Sequence, residues 1–211
     1  MQIRWIWIVL TLLYVSFFAW YTSFGGPLTE EEIEDYMARF EQRESGAGPE
    51  SLAHMRRFME EDTGDDFVMV NVIDIYEQPL QIEGVTPGES SAAVLGKYME
   101  YMWPALIARA SHPVIVGTAA HRAMDIMNAD GMENWTQGAG MRYRSRRDLL
   151  EISSNPQFQG AHHFKVAAMR KTIAFPIDPW YQLGDPRFVL ALLLGLIGCA
   201  LSWRVAARRT G

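Results

Sequence analysis

The chain has almost no thiol: one cysteine, Cys199, in 211 residues, and it falls inside an apolar run. A disulfide framework is therefore excluded, and the fold must rest on core packing whatever the redox state of its compartment. A structural zinc held by several thiolates is excluded with it. Charge is missing in two stretches, Trp5 to Phe24 and Phe188 to Trp203. Lys and Arg are missing from Gly25 to Ala38, where Glu30, Glu31, Glu32, Glu34 and Asp35 crowd together. No P-loop, GxGxxG, GxSxG or CxxC occurs, so nucleotide, hydrolase and thioredoxin-like chemistries have no support.

The two uncharged runs are what the chain has instead. A helix crosses a bilayer core with about 20 predominantly apolar residues. The first run meets that length, and the second reaches it through Val205 to Ala207, with Arg204 able to snorkel. Arg4 precedes the first run, and Arg204, Arg208 and Arg209 follow the second. Short basic flanks stay cytoplasmic. The expectation is a two-pass protein of a bacterial inner membrane, both termini cytoplasmic and the central domain periplasmic, with the lipid bilayer as its first partner. The bulky Ala19-Trp20-Tyr21 end of the first run favours an uncleaved anchor over a signal peptide. Tryptophans and tyrosines such as Trp5, Trp20, Tyr21, Trp180 and Trp203 lie where an aromatic belt would. Lys and Arg number 19 against 25 Asp and Glu, and every acid lies between the two runs. That balance disfavours nucleic acid as a partner.

Between the spans the chain reads as a sequence of short elements. Gly25-Gly26-Pro27 breaks the first helix, and Thr29 with Glu32 forms a capping box opening a helix to about Glu44. A turn from Ser45 to Gly48 precedes a second helix, Pro49 to Asp62, with Leu52, Met55 and Met59 on one face. This charged pair reads as a collar or stalk. FVMVNVIDIY, from Phe67, is apolar on both alternating sides, as a central strand would be. A loop follows from Glu77 to Glu89, then a helix capped by Ser90 or Ser91, interrupted at Pro104 and ending near Ala110. Strands are expected at Pro113 to Thr118, Trp135 to Ser145 and Thr172 to Ile177, the last an edge strand because of Pro176. Helices are expected over Arg146 to Ser153 and Pro156 to Lys171, and 119–134 is ambiguous. The resulting division is 1–25 first span, 26–66 collar, 67–179 α+β domain, 180–186 linker, and 187–211 second span with a basic tail.

The order β-α-β-β-α-β is the split βαβ of ferredoxin-like domains, with helices on one face of the sheet. The other face then needs a cover, and the same face of a second copy is the commonest one. FVMVNVIDIY, KYMEYMWPALIARA, RYRSRRDLLEISSNPQFQ and AAMRKTIAFPI together resemble the dimeric α+β-barrel superfamily. The nearest resemblance is to its small DUF1330-like proteins, and a more distant one is to the antibiotic-biosynthesis monooxygenases. The resemblance implies a homodimeric ferredoxin-like domain and brings no catalytic signature with it. The two spans, the collar and the 119–134 insertion set this chain apart from the small soluble members.

Among individual residues, Arg142 and Arg144 share one side of their strand while Met141, Tyr143 and Ser145 share the other. If the latter pack under helices, both guanidiniums face the open side and suit a carboxylate, a phosphate or an acidic partner. The alternative is that they pair with Asp74 or a Glu across the sheet, or lie in solvent. Adjacent His162 and His163 diverge by about 100° on a helix and do not readily share one metal. Each reads as a structural or surface histidine, and one of them facing a pocket could still serve as a base or haem ligand. Arg146, Arg147 and Asp148 read as surface, and the methionines of 97–107 and 124–135 as core filler. In the second span Gly195 and Gly198, with Ala191 and Ser202, form a small-residue face suited to helix packing in lipid.

These readings lead to a membrane-anchored, non-enzymatic accessory or assembly subunit, or a homodimeric binding module. No metal, cofactor or catalytic residue is assigned. The alternative is a small-molecule- or haem-binding enzyme or sensor of the monooxygenase-like type, using His162 or His163; a third reading is a domain whose sheet is covered by its own 119–134 insertion.

Overall fold

The computed structural model describes residues 3–42 and 48–210; the helix end at Glu44 and the turn from Ser45 lie outside them. The elements begin with α1 (Ile3–Tyr21), α2 (Glu30–Glu41), α3 (Pro49–Glu60), β1 (Phe67–Ile75), α4 (Ser91–Ala108) and β2 (His112–Thr118). They continue with β3 (Gln137–Tyr143), α5 (Arg146–Ser154), α6 (Pro156–Gln159), α7 (His162–Ala168), β4 (Met169–Ile177) and α8 (Pro186–Thr210). The chain divides into two compact units, one of Phe24–Asp178 and one of Met1–Ser23 with Pro179–Gly211.

In the larger unit β1 lies between β3 and β4, and β2 completes a sheet of order β2-β3-β1-β4. Every pairing is antiparallel. This is an α+β fold whose strand order is consistent with a ferredoxin-like domain. The central place of β1 follows from its two apolar sides, and Pro176 sits on an edge strand, where its missing N–H costs no ladder bond. On the helix-facing side Phe67 and Tyr143 stack at 5.5 Å and pack with Met102, Leu106 and Ile152.

Caps place the helices. Thr29 and Glu32 form the expected capping box, Ser90 accepts from the Ala93 N–H at 3.2 Å, and Ser145 accepts from Asp148 N–H at 3.1 Å. The helix α4 runs unbroken through Pro104, correcting the expected interruption. Glu100 and Pro104 both face solvent, so water can satisfy the carbonyl that proline cannot. The helix expected to reach Lys171 stops at Ala168, because Met169 and Lys171 pair with Ile75 and Asp74 of β1. Arg170, at the irregularity in that register, donates from Nε to the buried Asp74 at 2.8 Å.

Two further expectations are corrected by packing. The collar is not a solvated stalk: Ile33, Tyr36, Met37, Phe40 and Met59 are buried in one cluster with Leu150 of α5. The boundary at 66/67 is therefore no break in the packing of this unit. Nor are Arg146 and Arg147 idle surface residues. Arg147 binds Glu32 at 2.6 Å, while Arg146 donates to the Phe58 carbonyl and lies over the Phe58 ring. Segment 119–134 forms no helix or strand, and its Met124 and Met127 are exposed, whereas Met99 and Met102 pack in the core as expected.

The Glu32–Arg147 pair has a testable consequence. The guanidinium of Arg147, together with Thr29, pulls the Glu32 carboxyl from 4.5 down to about 2 against the opposing effect of burial. A depressed carboxyl contributes stability above its unfolded value and loses it as pH falls toward the folded one. The domain should therefore lose about 1 kcal/mol between about pH 4.5 and 2 through this group, the modest size reflecting solvent screening of a partly exposed pair. Urea titrations of the wild type and Glu32→Gln across that range check it, the variant showing the shallower acid loss.

Among the described residues, two helices are long and apolar enough to cross a membrane, α1 and the stretch Pro186–Arg208 of α8, both in the smaller unit. A Cβ added to Gly198 would lie 2.7 Å from the Trp7 ring, so α8 approaches α1 there. Gly195 has open space around it and serves no such approach within this unit.

Candidate functional site

The two arginines expected to converge on a ligand face different partners. Arg142 lies on the side of β3 opposite Tyr143, as the alternation required, but it is 1% exposed. Its Nε donates to Asp66 at 2.7 Å and its Nη1 to the Ala110 carbonyl at 2.8 Å. Arg144, just past β3, forms a two-point pair with Asp148 at 2.8 and 2.9 Å. Both are tied into the fold. Asp74, weighed as their partner, is taken by Arg170 instead.

Between the buried Arg142 and Asp74, the open side of the sheet is apolar. Val68, Val70 and Val72 of β1 lie opposite Ile177, Phe175 and Ile173 of β4. On the other flank Gly140 of β3 pairs with Val70 and with Ile115 of β2. Gly140 makes room for its neighbours: a Cβ there would sit 3.0 Å from the Ile115 side chain and 3.2 Å from that of Val68. Ile115, Phe175, Ile173 and Ile177 are 69, 46, 40 and 39% exposed. The 119–134 insertion leaves them uncovered.

On the opposite side, between the sheet and the helices, lies a groove of about 1520 Å³. Met69, Asn71 and Tyr143 supply its floor, Tyr98 and Met102 of α4 one wall, and Ile152, Ser154 and Lys165 of α5 and α7 the other. His162 and His163 are at the groove but exposed. The His162 ring stands edge-on to Tyr98 at 6.3 Å, and that of His163 lies 4.0 Å from the Phe164 ring. The pair thus diverges as helix geometry requires. Among the described residues no group of three or more His, Cys, Asp or Glu is arranged to hold a metal.

Burial shapes the titration of the groove. It pushes the phenol of Tyr98 up, and that of Tyr143 up further, with Tyr98 adding to the effect. It pushes the Lys165 amine down. The Lys165 Nζ lies 5.9 Å from the Tyr98 ring centre, and no carboxylate pairs with it among the described residues. The other cations lining the groove are occupied, Arg109 by Glu151 at 3.0 Å and Arg39 by Asp35 at 2.5 Å.

Lys165 is not among the residues the sequence expectations single out. One signal was available: it is the only charge in Phe164 to Met169, so its helix turns a single cation toward apolar surroundings.

No family model and no curated protein matches the chain. Solved structures do. RPA0582, a Rhodopseudomonas palustris protein of unknown function, is 16% identical with a TM-score of 0.51, covering 64% of this chain and 95% of its own. Its methylated form gives 16% identity and 0.52, covering 66% and 96%. A Bacteroides fragilis protein of unknown function, described as dimeric and ferredoxin-like, is 12% identical with a TM-score of 0.32, covering 54% and 96%, a superposition too loose to support an argument. The likeness to RPA0582 is one of fold alone.

Proposed function

We propose that this chain is a two-pass protein of a bacterial inner membrane whose periplasmic domain pairs with a second copy and serves as a binding or assembly module of a membrane complex. The open sheet face carries the reading. Ile115, Phe175, Ile173 and Ile177 expose apolar surface on one side of the sheet, the kind of surface that marks an interaction site. An isologous pair of such faces would enclose both in one core. The membrane assignment rests on α1 and α8, on their basic outer flanks and on the acidic segment between them. The enzyme or haem-sensor alternative has less support, since His162 and His163 are exposed and turned to different rings.

Native mass spectrometry of the full chain, extracted gently from its own membrane, tests the pairing. The wild type should appear as a dimer, alone or within a larger assembly, and Phe175→Glu should shift it to monomer with an increase in dissociation constant of tenfold or more, because each dimer would bury the new charge. A wild-type monomer, or a dimer that Phe175→Glu leaves intact, overturns the sheet-face reading. Cysteine labelling from either side of the membrane checks the topology: probes placed in the central domain should react only from the periplasmic side.

A further inference from the structure

The groove beneath Tyr98 has a chemistry of its own that pairing through the other face of the sheet does not use. Its floor and walls are apolar and aromatic where Met69, Met102, Tyr143 and Ile152 meet. Among the described residues Arg109 and Arg39 each have a carboxylate, and Lys165 has none. An ammonium drawn out of water without a counter-charge is costly to keep, and an anion brought to it offsets that cost. Ser154 adds an independent sign. It lines the same groove, is 9% exposed, and its Oγ is buried with no hydrogen-bond partner among the described residues. Buried hydroxyls usually find one.

We infer that this groove binds a small apolar monoanion, a single carboxylate on an aromatic or aliphatic body, with Lys165 as the cationic anchor. One uncompensated cation suits one negative charge, and a polyphosphate would find no second. Met69, Met102 and Ile152 offer surface to the apolar body. The lowered affinity of the Lys165 amine for its proton has the same origin, since burial penalises the charge that a bound carboxylate would stabilise. Arg109 and Arg39 are not rival anchors, each having its carboxylate in place.

The test uses the full chain in phosphatidylcholine nanodiscs and two soluble probes of one shape, 2-naphthoate and neutral 2-naphthamide, titrated calorimetrically. The wild type should bind the acid about tenfold or more tightly than the amide. Lys165→Met should abolish that preference, and Lys165→Arg should keep most of it. A second measurement needs no variant: saturating 2-naphthoate should slow acetylation of Lys165 severalfold, read by peptide mass spectrometry, while leaving the half-buried Lys171 unchanged. Equal binding of acid and amide, a preference that survives Lys165→Met, no binding of either probe, or an unprotected Lys165 each overturns the inference.

Discussion

Replacing Arg142 by methionine should destabilise the central domain by about 3 kcal/mol, the lower end of what losing one partner of a buried ion pair costs. The side chain is 1% exposed, so its charge is almost wholly withdrawn from water and held by Asp66 and the Ala110 carbonyl. Methionine fills much of the volume but satisfies neither acceptor. Asp66 retains a side-chain exposure of 22%, which lets water relieve part of its loss and keeps the cost from running higher. Ala110 adds to it. Its backbone is left-handed, with φ of 51°, at the place where a helix ordinarily ends in glycine, and the Arg142 bond fixes the carbonyl that this conformation turns inward. Denaturant unfolding of the full chain in nanodiscs reads the loss. Adding Asp66→Leu to Arg142→Met should recover a part of it, because the stranded carboxylate goes with its partner. An Arg142→Met protein of unchanged stability would return this residue to the binding role its strand position first suggested.

That reversal shows which parts of the molecule local sequence can display. Strand β1 was legible because both of its alternating sides are apolar, and Thr29 and Ser90 because a cap is a contact with a residue three positions away. The side of the strand on which Arg142 lies was legible for the same reason. Its destination was not, since Asp66 lies 76 positions away and the Ala110 carbonyl 32. Periodicity assigns a residue to a face and leaves open what the fold folds over that face. The collar failed in the same way. Its helices look charged and thin until Leu150 of α5 joins Tyr36 and Phe40 in one buried cluster, a grouping no window of sequence contains. The helix running to Ala168 ended early for a further reason, that pairing of Met169 and Lys171 with β1 outweighed a helical propensity spread over the whole stretch. Lys165 lies at the limit of legibility. A lone cation in an apolar turn can be seen, but its missing counter-ion becomes visible only when the carboxylates around the groove have been assigned to Arg109 and Arg39.

The turn that leads from the collar into β1 supports the second large effect, that Gly64→Ala should cost about 3 kcal/mol. Gly64 has φ of +82°, which an alanine adopts at roughly 1–2 kcal/mol. A Cβ there would also stand 2.4 Å from the carbonyl carbon of Gly26, a backbone atom that cannot swing aside as a side chain would. Overpacking of this kind adds about 1–3 kcal/mol. The turn is held in place by the buried Asp62, which accepts from Leu28 N–H at 2.9 Å and from Gly64 N–H at 3.1 Å, so the two chain segments cannot separate without losing those bonds. Gly88 supplies the control. Its φ is +83° and nothing lies within 4 Å of its would-be Cβ, so Gly88→Ala carries the conformational cost alone, about 1 kcal/mol. Unfolding the two variants side by side therefore separates the close approach from the backbone angle. If they prove equally destabilised, Gly64 serves its turn only by conformation and the contact with Gly26 yields; the larger loss at Gly64 would show that the chain enters the domain through a crossing only a hydrogen atom can pass.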